Sequence, residues 1–177
     1  SPIGIACTAG ASIEVLDSQL FNGNPPAIRL VNCTASIRTT RISSYRGGGI
    51  QSYESNLSLI SSLIDGNGND SGFYGGLRIR QCQIGQGDDP GDSCLGVALN
   101  IRILFTTIVA NKANGTSDLV NRGAGALRCD KLSNPIEGAG SIIQDNTGYY
   151  NIDITESQDS RCAFTNSIAP LRLDDLM

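Results

Sequence analysis

The sequence predicts an all-β fold, a single β-helix (β-solenoid) of about seven coils occupying residues 1–177. Three observations carry this. No stretch sustains the apolar period of about 3.6 residues that a helix needs. Short alternating runs of Ile, Leu and Val are separated by clusters of Gly, Asn, Asp and Ser. One template also recurs: apolar, x, apolar, x, x, small, x, apolar, x, x, Asn or Gly.

The copies appear in chain order. Ile13, Val15, Ser18, Leu20 and Gly23 form the first, and Leu57, Leu59, Ser62, Ile64 and Asn67 the clearest. Leu77, Ile79, Cys82, Ile84 and Gly87 follow, then Ile101, Ile103, Thr106, Ile108 and Asn111. Ile28, Leu30 and Cys33 make a partial copy, as do Ile152, Ile154 and Ser157, and Gly125 to Leu127 marks a degenerate one. The spacing of roughly 20–29 residues without helices is that of a β-solenoid. Inward apolar residues alternate with outward polar ones, so a coil buries its inner face only when neighbours stack on it. The small residue marks a tight bend. The closing Asn or Gly fits a corner with left-handed backbone, and aligned asparagines predict a hydrogen-bonded ladder. A leucine-rich repeat would need its Leu-x-x-Leu-x-Leu signature and a helix. An immunoglobulin-like sandwich would not repeat one template in fixed register.

Composition narrows the chemistry. The chain has no histidine, which excludes a Ser-His-Asp triad, a Cys-His pair, an HExxH zinc site and histidine-ligated haem. A net charge of −4 argues against nucleic-acid binding, and the short apolar runs against membrane insertion by a helix. The start at Ser1-Pro2 fits a mature chain whose leader has been removed, or a segment of a longer solenoid.

Six cysteines, Cys7, Cys33, Cys82, Cys94, Cys129 and Cys162, form no CxxC pair and suit disulfides in an oxidising compartment. Cys82 and Cys94 flank a Gly/Asp/Pro loop and are the simplest pair to bridge; the alternative is that some are small buried hydrophobes. Sequons at Asn32, Asn56, Asn69 and Asn114 predict glycosylation. Cysteines and sequons together point to an extracellular or cell-surface glycoprotein.

Some of the same residues resemble a known repeat. Gly47-Gly48-Gly49-Ile50 resembles the GGA[IL] half, and Phe21-x-x-Asn24 the FxxN half, of the polymorphic outer-membrane-protein repeats. Ile64-x-x-Asn67, Ile108-x-x-Asn111 and Ile143-x-x-Asn146 are similar to FxxN with Ile for Phe. Tyr74-Gly75-Gly76-Leu77 and Gly125-Ala126-Leu127 resemble weaker first halves. The resemblance covers residues 12 to 168 at motif level. It implies a right-handed parallel β-helix outside the cell with adhesive or structural roles, although most FxxN aromatics are lost and spacing is irregular.

β-Helices also carry polysaccharide lyases and hydrolases. Asp88-Asp89 is a candidate carboxylate pair, but Asp88, Asp89 and Asp92 surround Pro90-Gly91, the chemistry of a solvated turn. Arg29, Arg38, Arg78, Arg80 and Arg102 lie in strand segments. Arg78 and Arg80 alternate with Leu77 and Ile79, which points them outward as a solvated face or a stripe for acidic glycans. Asp65 to Asp70 resembles a calcium loop, yet Asp70 and Gly76 stand where that loop needs glycine and a bidentate acid. The expectation is therefore no catalytic residue, no metal and no cofactor. The protein is read as a non-enzymatic structural protein that assembles with itself end to end into a filament, surface appendage or matrix, with glycans as further partners and adhesion as a role. The alternative is a carbohydrate-binding or pectate-lyase-like β-helix.

Overall fold

A computed structural model describes residues 4–69, 74–81, 98–113, 124–130, 132, 134 and 136–146, and the backbone of 154–156 and 164–165. The described chain is all-β: strands stack in parallel and in register to form a β-helix. Among the described residues each of the first five coils supplies one strand to each of three faces, and the sixth supplies one to the first and one to the second. Face one stacks β1 (Ile5–Thr8), β4 (Ile28–Val31), β7 (Ile50–Tyr53), β11 (Leu77–Arg80), β15 (Leu127–Asp130) and β18 (Ile154–Glu156). Face two stacks β2 (Ser12–Leu16), β5 (Thr34–Arg38), β8 (Asn56–Ile60), β12 (Ile101–Leu104), β16 (Glu137–Ala139) and β19 (Phe164–Thr165). Face three stacks β3 (Gln19–Gly23), β6 (Arg41–Tyr45), β9 (Leu63–Asp65), β13 (Thr107–Val109) and β17 (Ile142–Gln144). A short fourth ladder pairs β10 (Gly68–Asn69) with β14 (Lys112–Ala113).

Among the described residues the longest ladders hold six strands, so six coils are described. The chain reaches face two from face one in two residues between Val31 and Thr34 but takes 20 between Arg80 and Ile101. At about 4.8 Å per strand, six coils span about 24 Å.

The core is one column of aliphatic layers. Ile28, Ile50, Leu77 and Leu127 stack on face one; Ala35, Leu57 and Ile101, then Ile37, Leu59 and Ile103, on face two; Ile42, Ile64, Ile108 and Ile143 on face three. All are buried. The template is therefore the passage from face two through a corner into face three. Its copies at Ile13, Leu57 and Ile101 are in register, and the coils at Ala35 and Ile136 complete the column. Those two are hard to see in the sequence because Tyr45 replaces the Asn of one and Gly138 an apolar residue of the other. The runs at Ile28, Leu77 and Ile154 belong to face one instead, where alternation is the same but the corner differs.

Both corners of the template require left-handed backbone, but at the second it falls on the residue before the closing Gly23, Asn67, Asn111 or Asn146 and not, as the sequence suggested, on that residue itself. Asp17, Thr39, Ser61, Phe105 and Gly140 have φ of 46°, 48°, 49°, 51° and 61° at the first. Asn22, Ser44, Gly66, Ala110 and Asp145 have 63°, 61°, 61°, 55° and 54° at the second. The residue after each corner turns inward and satisfies the bend. After the first it is a hydroxyl: Thr40, Ser62, Thr106 and Ser141 are buried and donate to the carbonyls of Arg38, Ile60, Leu104 and Ala139 at 2.8, 2.9, 3.0 and 3.2 Å. After the second it is the predicted asparagine ladder. The Oδ1 atoms of Asn67, Asn111 and Asn146 accept from the backbone N–H of Tyr45, Asn67 and Asn111, each at 3.0 Å.

The two halves of the repeat motif meet in space. Ile50, Leu77 and Leu127 are in register, so Gly48-Gly49, Gly75-Gly76 and Gly125-Ala126 before them stack. A Cβ at Gly76 would stand 2.5 Å from the Ala126 carbonyl oxygen and 3.3 Å from Asn111 Nδ2, and one at Gly49 2.5 Å from the Gly76 carbonyl oxygen and 3.4 Å from Asn67 Nδ2. Glycine is needed at these two positions, whereas the buried Ala126 fills the equivalent place in the next coil. Phe21-x-x-Asn24 is out of register: Leu20, not Phe21, aligns with Ile42 and Ile64, and Phe21 points outward at 58% exposure.

Candidate functional site

The outer side of face one carries the densest polar cluster. Alternation turns Gln51, Arg78 and Arg128 outward in one column and Tyr53, Arg80 and Asp130 in the next. The expected outward direction of Arg78 holds, but the expected solvation does not: Arg78 keeps only 16% of its side chain exposed, Arg128 9% and Asp130 11%. Arg78 Nε donates to Asp130 Oδ2 at 2.9 Å, and Arg128 Nε to the two Asp130 oxygens at 2.9 and 3.0 Å. Arg78 also donates to the Tyr53 hydroxyl at 3.1 Å, its guanidinium carbon standing 5.5 Å from the Tyr53 ring centre, and Gln51 Nε2 donates to the same hydroxyl at 2.6 Å. Burial works against the Arg78 charge, but Asp130 and Tyr53 outweigh it and raise its pKa. Tyr74 lies at the edge of this cluster, buried, with its hydroxyl unbonded and its titration pushed upward by burial and by Tyr53. The cluster braces the face: two buried guanidinium groups converge on one carboxylate, and Tyr53 ties Gln51 to Arg78.

A second feature is a groove of about 340 Å³ at the first corner, lined by Thr39, Arg41, Ser61, Thr107 and the ring of Phe105. Phe105 is 66% exposed at φ 51°, a backbone conformation that costs a bulky residue about 1–2 kcal/mol. Its ring leans on Gly140, where a Cβ would come within 2.7 Å of Cδ1.

The third feature is the open face of the first coil. Ile28, Ala35 and Ile42 of the second coil are sealed, whereas Ile5, Ile13 and Leu20 are only partly buried at the equivalent positions. β1, β2 and β3 are the end strands of their ladders. Leu16 and Phe21 add 46% and 58% exposed apolar side chains to this coil. Among the described residues nothing covers it.

The sequence-predicted positions distribute as follows. Asn56 is exposed, its Oδ1 accepting from the Asn100 N–H at 2.8 Å. Asn32 is half-buried at φ 52° beside a hollow of about 190 Å³, and Asn69 Nδ2 donates to the Arg46 carbonyl at 2.9 Å. Asn114 lies outside the described residues. Cys129 is disulfide-bonded, Cys7 and Cys33 are free and buried, and Cys82, Cys94 and Cys162 lie outside the described residues. Asp88, Asp89 and Asp92 also lie outside them. Asp65 is engaged by Arg41, whose Nε and Nη2 donate to its two oxygens at 3.0 and 2.7 Å. The sequence missed the Tyr53–Arg78–Asp130 cluster because its members come from three coils; the one local signal was arginine alternating with apolar residues.

Comparison with protein-family models, with curated proteins and with solved structures finds no match to this chain.

Proposed function

We propose that this protein is a non-enzymatic structural protein of the cell exterior that assembles end to end through its open first coil. The carrying observation is the contrast between the sealed second coil and the partly exposed Ile5, Ile13 and Leu20 of the first. Three parallel edges that no strand among the described residues pairs border an apolar layer and form a template for another strand layer. The occupant that continues the register is the last coil of a second copy, a head-to-tail contact that propagates as a filament. The Cys129 disulfide suits an oxidising compartment, and the exposed Asn56 sequon suits a glycoprotein. Electron microscopy of the purified protein should find linear particles that lengthen with concentration. Replacing Ile13 and Leu20 by lysine should leave single particles, because charges would enter the contact layer unpaired. Unassociated wild-type protein at high concentration would sink this reading.

A second reading, carbohydrate binding, is favoured by the Phe105 groove, where an exposed ring stands among hydroxyls and one arginine. Sugars stack their C–H faces on such rings while their hydroxyl groups bond to the rim. Phe105→Ala should lower affinity for a bound oligosaccharide about tenfold or more, read by calorimetry, and leave the melting temperature unchanged or raised. Equal affinity in wild type and variant would remove the groove as the binding place.

A further inference from the structure

We propose that Cys7 and Cys33 are a modification site: they close into a disulfide that locks the first coil onto the second. Cys7 is an inward residue of β1 and Cys33 follows β4, the strand stacked on it, so the bond would join adjacent coils rather than neighbours in sequence. One acceptor brings them near each other: the Ala11 carbonyl that takes the Cys7 thiol also accepts from the N–H of Thr34, the residue next to Cys33, at 3.0 Å, and both cysteines are buried, at 3% and 5% exposure. Their surroundings hold them in place. Cys7 Sγ donates to the Ala11 carbonyl at 3.6 Å, the Cys33 N–H donates to Ser55 Oγ at 3.1 Å, and that hydroxyl lies 3.8 Å from Cys33 Sγ.

Access is provided on one side. The hollow of about 190 Å³ at this corner is lined by Cys33 together with Asn32, Thr34, Glu54 and Asn56, and Cys7 does not line it. Cys33 is therefore the sulfur that meets a reagent first and Cys7 the one that resolves. The oxidant is a low-molecular-weight disulfide. Cys33 gives up its proton, and its thiolate attacks one sulfur of the reagent, forming a mixed disulfide and expelling one thiolate. Cys7, on losing its proton, attacks the Cys33 sulfur, the Cys7–Cys33 bond forms and the second thiolate leaves. Two protein thiols are oxidised and one reagent disulfide is reduced to two thiols. Burial and the neighbouring Cys33 push the Cys7 thiol up to about 11, so closure accelerates as pH rises above neutral.

The bond would act where the fold is least covered. The first coil has a stacking partner on one side only among the described residues, and it carries the partly exposed Ile5, Ile13 and Leu20. A covalent tie across the span from Cys7 to Cys33 restrains the unfolded chain and holds that coil in register.

The test is peptide mapping under non-reducing conditions, with thiol alkylation, before and after incubation of the full chain with oxidised glutathione at pH 8. The expected result is a Cys7 peptide linked to a Cys33 peptide, loss of two alkylatable thiols, and a melting temperature raised by about 5–10 °C. Cys33→Ala should abolish both the link and the temperature rise while leaving Cys7 alkylatable. Cys7→Ala should stop at the mixed disulfide on Cys33, a separate check of which sulfur reacts first. Two free thiols after oxidation, stable glutathione adducts on both cysteines, or either cysteine linked elsewhere would overturn the proposal.

Discussion

Asn111→Ala is expected to destabilise the protein by about 4 kcal/mol, the largest effect of any single polar truncation in the described residues. Asn111 is 1% exposed and sits mid-ladder. Its Oδ1 accepts from the backbone N–H and the Nδ2 of Asn67, both at 3.0 Å. Its Nδ2 is shared among the carbonyls of Ile64 and Val109 and the Oδ1 of Asn146, at 2.9, 3.0 and 2.8 Å. Truncation strips the Asn67 N–H of its acceptor and leaves carbonyl oxygens in a space too apolar to hydrate them. Each orphaned buried group costs about 1–3 kcal/mol. Asn111→Asp should be worse at neutral pH, because a carboxylate would face those carbonyls, and it should recover partly in acid as the carboxyl regains a proton. Denaturant titration of the three proteins measures both effects. Asn24→Ala, at an exposed position, is the control and should stay within about 0.5 kcal/mol. A loss under 1 kcal/mol for Asn111→Ala would mean the ladder does not hold the corner.

Asp130→Ala is expected to cost about 3 kcal/mol. Asp130 is the carboxylate to which both Arg78 and Arg128 donate, and all three side chains are at least five-sixths buried. Removing it takes from the Arg78 guanidinium the carboxylate to which its Nε donates, in low dielectric and with its hydration not restored. The penalty therefore reflects uncompensated charge more than the worth of the original pairs. A double variant, Asp130→Ala with Arg78→Met, should recover much of the loss by removing one stranded charge and keeping the packing volume. Thermal denaturation at low and high salt separates this from a surface pair: the effect should change little with ionic strength. The exposed Arg102–Glu137 pair, at 44% and 61% side-chain exposure, should by contrast contribute little.

Much of the fold was legible because a solenoid repeats its physics locally. One face-two to face-three passage fits in about a dozen residues, so Leu57, Leu59, Ser62, Ile64 and Asn67 display a whole corner in one stretch of sequence. The same locality misled where faces share an alternation. Leu77-x-Ile79 and Leu57-x-Leu59 look alike, yet one stacks on Ile50 and the other on Ala35. Phe21-x-x-Asn24 carried the right letters one residue out of register, and a one-residue slip in a strand exchanges inside for outside.

The candidate sites were less legible, for a related reason. Each consists of residues brought together by the stacking direction, which spacing alone does not encode. Tyr53, Arg78 and Asp130 come from consecutive coils but lie 25 and 52 residues apart in the chain. Cys7 and Cys33 fall on adjacent coils, whereas the sequence singled out only Cys82 and Cys94 as a pair among the six.

What the sequence alone determined was the material of the solenoid. Aliphatic residues in alternation fill a narrow interior, Asn, Gly and hydroxyl residues turn its corners, and the absence of histidine removes a set of chemistries before any coordinates are considered. The tertiary structure alone decided the register. Register set which arginines share a carboxylate, which cysteines fall on adjacent coils and which coil remains open. The physical reason is that alternation fixes inside and outside within a strand, whereas the neighbour above it is chosen by the length of every intervening turn.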